Sequence, residues 1–320
     1  MRVELHCHLD GSLSMDFVQA QLAKQNILME QEELEEKLQV QPNCASLTEY
    51  LEKFDLPLIC LQTESGLEQA AYELVRDAAE DDVAYIEVRF APMLSTIVGL
   101  TCEEVIASVV RGLKRGEEEF GVYASAIVCA MRHHSLEKNM EMLRVAKAFL
   151  GKGVCALDLA GDESAFPTKL FRPLFMQAKE WGIPFTIHSG ECGSVDNVRE
   201  AIALGAKRLG HGLALEKSPE LRKLCKDKSI GIEMCPTSNL QTKAVDSLAS
   251  YPLKMFLEEG LLASIHTDNR TVSKTTMELE EALVKEKLQL TDEMWKQCTR
   301  NAIITAFTTD EIKQRLLERV

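Results

Sequence analysis

Short apolar runs recur along the chain, separated by longer stretches in which apolar residues return every three or four positions. Eight runs can be placed, at 3–8, 84–90, 124–131, 154–160, 184–188, 207–211, 230–235 and 262–267. Continuous runs of this length suit strands that are covered on both faces. The segments 103–120, 136–150, 168–181 and 195–204 read as amphipathic helices between them. Strands alternating with helices predict a parallel sheet, and eight of them predict closure into a (β/α)8 TIM barrel, an α/β fold. An open doubly wound sheet is the structural alternative. One connection breaks the rhythm: about 75 residues separate His8 from the second run, far more than a loop and one helix require. A long helical insertion is therefore expected after strand 1, with the helix formers of 46–63 over the barrel mouth as a lid. Residues 1–320 are expected to form a single domain, with 291–320 as closing helices.

In a barrel of this kind the C-terminal strand ends build the site, and here most runs end in Asp, His, Arg, Gly, Ser or Asn. His6 and His8 stand two apart in a strand, so their imidazoles face one side while Cys7 faces the other. His188 ends the fifth run and Asp268 ends the eighth strand in Thr267-Asp268-Asn269. Three imidazoles and a carboxylate make a divalent-metal shell with room for water, and the N/O set suits zinc. Water bound there would be acidified toward neutral pH. Glu191 lies three residues beyond a ligand and could protonate a substrate atom; His211, at the sixth strand end, could orient or deprotonate the water. The fourth run ends Leu157-Asp158-Leu159-Ala160-Gly161, without the bridging lysine of two-metal barrel hydrolases, so one ion per chain is expected. The H-x-E and P-C-x-x-C pattern of cytidine-type deaminases is absent.

Composition narrows the field further. Hydrophobic residues make up 46% and charged ones 27%, ordinary for a globular chain. A net charge of −14 disfavours nucleic-acid binding. No run is long enough for a membrane span. Ten cysteines are scattered without a C-x-x-C pair, and the chain opens Met1-Arg2-Val3-Glu4-Leu5 without a signal-peptide pattern, so a cytoplasmic location is expected.

Six motifs stand in order along nearly the whole chain: Val3 to Gly11 (VELHCHLDG), Asp158 to Glu163 (DLAGDE), His188-Ser189-Gly190-Glu191, Arg208 to Gly212 (RLGHG), Cys235 to Asn239 (CPTSN) and Thr267-Asp268-Asn269. In these the chain resembles the adenosine deaminase family of the amidohydrolase superfamily. The resemblance implies zinc on His6, His8, His188 and Asp268, with Glu191 protonating purine N1 and His211 beside the attacking water. It further implies substrate contacts at His8, at Gly161 (backbone N–H to N3), at Asp10 (ribose 5′-hydroxyl) and at position 269. There this sequence departs from the mammalian-type pattern, with Asn269 in place of an Asp that bonds N7. An amide donates to that acceptor at any pH, whereas a carboxyl must first be protonated. The implied activity is hydrolysis of adenosine, and of 2′-deoxyadenosine, to inosine and ammonia in purine salvage. A deaminase of adenine, adenosine monophosphate or a 5′-modified nucleoside is the sibling alternative. A noncatalytic purine-binding protein is the alternative from another class, and a metal phosphoesterase would need basic clamps that are not apparent. Segment 47–54 resembles the family's apolar gate, and His266 is expected to be structural.

Overall fold

The computed structural model describes residues 1–41, 44 and 47–320, with the side chains of Leu47 and Thr48 left aside. Ser46, at the start of the expected lid, lies outside the described residues. Eight parallel strands are present: β1 (Arg2–His8), β2 (Val83–Phe90), β3 (Tyr123–Met131), β4 (Val154–Ala160), β5 (Thr186–Ser189), β6 (Arg208–His211), β7 (Gly231–Met234) and β8 (Leu262–Ile265). They pair in chain order as two four-stranded sheets. The bridges Leu157↔Phe185 and Cys7↔Asp268 join those sheets at both seams. The expected barrel therefore closes. Most boundaries move by no more than one residue, and two move by two: β5 starts at Thr186, after Pro184, which has no N–H for the ladder. β8 ends at Ile265, so Thr267 and Asp268 follow the strand as a turn.

The strands are buried on both faces, which explains their unbroken apolar runs. Helices cover the outside. In the long connection between β1 and β2 lie α1 (Met15–Lys24), α2 (Gln31–Leu38), α3 (Leu47–Leu51), α4 (Asp55–Cys60) and α5 (Glu64–Glu80). Ser14 and Thr63 start α1 and α5 by accepting from Phe17 N and Gly66 N. The acidic run beginning at Glu30 forms α2, which buries only Leu34 and Leu38. The next helix, α6 (Cys102–Phe120), opens with a reciprocal capping box of Thr101 and Glu104.

The floor of the barrel is charged. Arg89 donates to Asp158 and Glu233, each at 2.8 Å, and Arg208 pairs with Glu87 and Glu233. All five side chains are fully buried. This network lies directly beneath the strand ends that carry the histidines, and two of its carboxylates reach up to them.

Candidate active site

β1 presents His6 and His8 toward the barrel axis, as the two-residue spacing requires. The turn after β8 is locked to β1 by two backbone bonds, His8 N to Asp268 O (2.7 Å) and Asp268 N to His6 O (2.8 Å). That turn needs Asp268 at φ 63°, in the left-handed region a non-glycine residue enters at a cost of about 1–3 kcal/mol. The strain aims its carboxylate inward. Asp268 Oδ1 lies 3.4 Å from both His6 Nε2 and His8 Nε2, while Ser238 Oγ donates to Oδ2 at 2.6 Å. His188 Nε2 faces His8 Nε2 at 3.2 Å.

The outer ring nitrogens explain which way the lone pairs point. His6 Nδ1 meets Glu233 Oε2 at 2.8 Å and His188 Nδ1 meets Asp158 Oδ2 at 2.9 Å. A carboxylate neighbour favours the proton on Nδ1, which turns the Nε2 lone pair inward. His6 Nε2 is buried with no hydrogen-bond partner among the described residues. Burial also lowers the His8 pKa well below its usual value, so that ring is neutral. Inward lone pairs around a carboxylate oxygen repel one another unless a cation sits among them. The ligand atoms of His6, His8, His188 and Asp268 all lie within 4.8 Å of one another, so the set fits a divalent metal ion.

Glu191 stands beside this cluster on the turn after β5. Thr242 Oγ1 donates to its Oε1 at 3.1 Å, and its Oε2 is 3.6 Å from His211 Nε2. Burial, with the negative charges of Asp268 and Glu163, raises its pKa to about 8. Glu191 therefore holds a proton at neutral pH. His211, at φ 64° on the end of β6, has its pKa lowered well below the usual value by burial. Its Nδ1 is 3.0 Å from the Asn239 amide nitrogen, and Tyr251 donates to Asn239 Oδ1 at 2.8 Å. Nδ1 is thus an acceptor, and the ring's own proton sits on Nε2, facing the cavity. This tautomer can orient an oxygen.

The cavity above these groups has a volume of about 340 Å³. Asp10, Gly161 and Asn269 line it together with His8, so the structure brings together every residue that the sequence singled out. Burial raises the Asp10 pKa to about 6, and its Oδ1 is buried without a partner. Gly161 sits at φ 103°, a conformation that only glycine adopts freely. Tyr50, Phe54 and Leu58 cover the cavity from the insertion, as the lid reading expects. His266 is turned away from the metal cluster: Leu5 N donates to its Nδ1 at 3.1 Å, and Ser264 Oγ pairs with its Nε2 at 2.8 Å.

A model of the family described as adenosine deaminase matches residues 2–320. The chain belongs to the adenosine deaminase family. Within that metal-dependent family, an adenosine deaminase of Enterococcus faecalis is 44% identical over 100% of this chain and 95% of its own length. Among solved structures, an adenine deaminase of Arthrobacter aurescens superposes with a TM-score of 0.90 at 25% identity, covering 99% of this chain and 97% of the other. An Arabidopsis protein crystallised with IMP matches with a TM-score of 0.86 at 26% identity, over 98% and 94% of the two chains. The sequence reading did not assign Glu233, Ser238, Asn239 or Thr242 a part in this family site. One signal was available for Glu233: a charged residue inside an apolar strand run must find a buried partner.

Proposed function

We propose that the chain hydrolyses adenosine and 2′-deoxyadenosine to inosine and ammonia, with residues 1–320 acting as one unit. The observation that carries this reading is the Glu191 carboxyl, held beside His211 and Thr242, set against the inward-facing ring nitrogens of the histidine cluster in one cavity. His6, His8, His188 and Asp268 would hold one divalent ion per chain, and their nitrogen and oxygen donors suit zinc. Such an ion, when bound, supplies a Lewis acid and makes water a nucleophile near neutral pH.

The chain's own groups do the rest. Gly161 N–H meets purine N3, and the Asn269 amide meets N7. His8, at the edge of the metal cluster, also borders the substrate. Glu191 gives its proton to N1, which removes aromatic stabilisation at C6. His211 Nε2–H orients the water oxygen that adds to C6. As the water oxygen bonds to C6, one water proton passes through the Glu191 carboxylate to the amino nitrogen. The C6–N bond then breaks, ammonia leaves, and the remaining hydroxyl proton returns to Glu191, giving the C6 carbonyl of inosine. Asp10, ionised at pH 7 and short of a donor, takes the ribose 5′-hydroxyl.

The same cavity argues against the sibling substrates. Its lining includes Asp10, Asp55 and Asp162, and among the described lining residues none is Lys or Arg. A phosphate would meet only repulsion there. Free adenine would leave the Asp10 acceptor buried and unpaired, a cost of about 1–3 kcal/mol. No disulfide joins cysteines among the described residues, which supports a reducing, cytoplasmic setting. No helix among the described residues is long and apolar enough to cross a membrane.

The test is ultraviolet absorbance of adenosine with zinc-loaded protein beside a chelator-stripped control. Conversion to inosine in the zinc sample alone is the expected result. A flat trace with zinc bound would move the assignment to another aminopurine, or to a binding protein.

A further inference from the structure

Tyr50 comes from α3 in the insertion, yet its hydroxyl reaches the turn after β8. Asn269 Nδ2 donates to Tyr50 Oη at 2.9 Å, and Tyr50 Oη shares a second bond of 2.8 Å with Ser273 Oγ. All three residues are buried. Burial, with the charge of Asp268 nearby, raises the phenol pKa well above its usual value, so the hydroxyl stays neutral.

The other end of the amide is also confined. Asn269 Oδ1 is buried with no hydrogen-bond partner among the described residues, packed against Gly11 so closely that a Cβ on that residue would lie 1.8 Å away. Gly11 therefore makes room for the carbonyl and keeps it out of the cavity. An amide nitrogen carries two hydrogens. One goes to Tyr50, the carbonyl is sequestered, and the second N–H is what Asn269 offers the cavity. Tyr50 Oη is the partner that holds the nitrogen side of the amide plane in that orientation.

We propose that Tyr50 is a specificity-determining positioning residue: its hydroxyl fixes the Asn269 amide with one N–H toward the cavity, so that the site selects purines with an acceptor at position 7. This rests on the deaminase reading above and deepens it, because that reading does not say what orients Asn269. It also gives the insertion a part in base recognition: the recognition group is held by a residue from the cap, 219 positions away in the chain.

The test compares inosine with 7-deazainosine, in which a C–H replaces N7, as competitive inhibitors of adenosine deamination. Both are unreactive and differ only at the atom in question. The wild type is expected to bind inosine about tenfold more tightly, the scale of one hydrogen bond. Asn269→Ala should abolish that preference, and Tyr50→Phe should cut it to about threefold or less, by weakening inosine and sparing the deaza analogue. Phenylalanine keeps the ring tilted against Phe54, 6.2 Å between centroids, so the cap remains packed. Ser273→Ala, which frees the phenol from its second partner, should reduce the preference in the same direction and guards against a Tyr50 variant that fails to fold.

Equal weakening of both inhibitors in Tyr50→Phe would make Tyr50 mere packing and overturn the inference alone. So would a preference that survives Asn269→Ala. A zinc-loaded wild type that does not deaminate adenosine would overturn the deaminase reading, and this inference with it.

Discussion

The barrel holds two buried polar layers that differ in one respect. On the floor, Arg89 and Arg208 thread Glu87, Asp158 and Glu233 into a network in which each charge meets its opposite. At the mouth, His6 Nε2 and Asp10 Oδ1 are equally buried and have no hydrogen-bond partner among the described residues, whereas on the floor only Arg89 Nε is left over. Burying a polar atom unpaired costs about 1–3 kcal/mol, so unpaired atoms that converge on the cavity point to groups that bind there. The floor stabilises and aims; the mouth is left incomplete for a metal and a substrate. Glu233 and Asp158 belong to both layers, since each holds an arginine below and a histidine above.

The sharpest way to break this contrast is at the mouth. Glu191→Gln keeps shape and volume but removes the transferable proton. Turnover should fall by about 10²–10⁴-fold or more, with zinc content unchanged. The wild-type pH profile should lose activity above about 8, where Glu191 ionises and can no longer donate. The sign is fixed by the raised pKa: the protonated, active form is the one present below it. Normal turnover in the variant, or a wild-type rate that rises through pH 9, would remove Glu191 from its role. On the floor, Arg208→Met should act on stability. It leaves Glu87 without its cation and Glu233 with only Arg89, a loss of about 3–5 kcal/mol in urea unfolding. A loss under about 1 kcal/mol would mean that the floor is not the paired layer described here.

The mouth was more legible in the sequence than the floor. His6, His8, His188, His211 and Asp268 stand at or just past strand ends, and strand ends in a parallel barrel converge whatever the intervening helices do. The eight runs were visible because burial on both faces leaves little room for alternation. The pairings of the floor were not visible. Arg89 and Glu233 are 144 positions apart, Arg208 and Glu87 121, and only closure of the barrel brings them together. The turn after β8 also reads as strand through Thr267, because the run was carried past Ile265 into the polar His266 and Thr267, but the chain leaves the ladder there and Asp268 takes a left-handed conformation. Tyr50 was grouped with an apolar gate because nothing local shows that its hydroxyl has a partner on β8's far side.

The smallest expected effect tests whether an orphan is really a receptor. Asp10 Oδ1 is unpaired and its carboxyl ionises above about pH 6, so at pH 7 it is an acceptor lacking a donor. If the ribose 5′-hydroxyl supplies that donor, Asp10→Asn should raise the KM for adenosine by about tenfold, the scale of one hydrogen bond to a charged group. The KM for 5′-deoxyadenosine, which has no such hydroxyl, should stay within about twofold, and kcat for both should change little because the reacting carbon is remote. Below pH 6 the wild type should converge on the variant, since a protonated Asp10 has lost the charge that the hydroxyl meets. An equal rise in KM for both nucleosides would instead make Asp10 a structural carboxylate. The rule that buried orphans mark binding atoms would then hold at the metal and fail at the sugar.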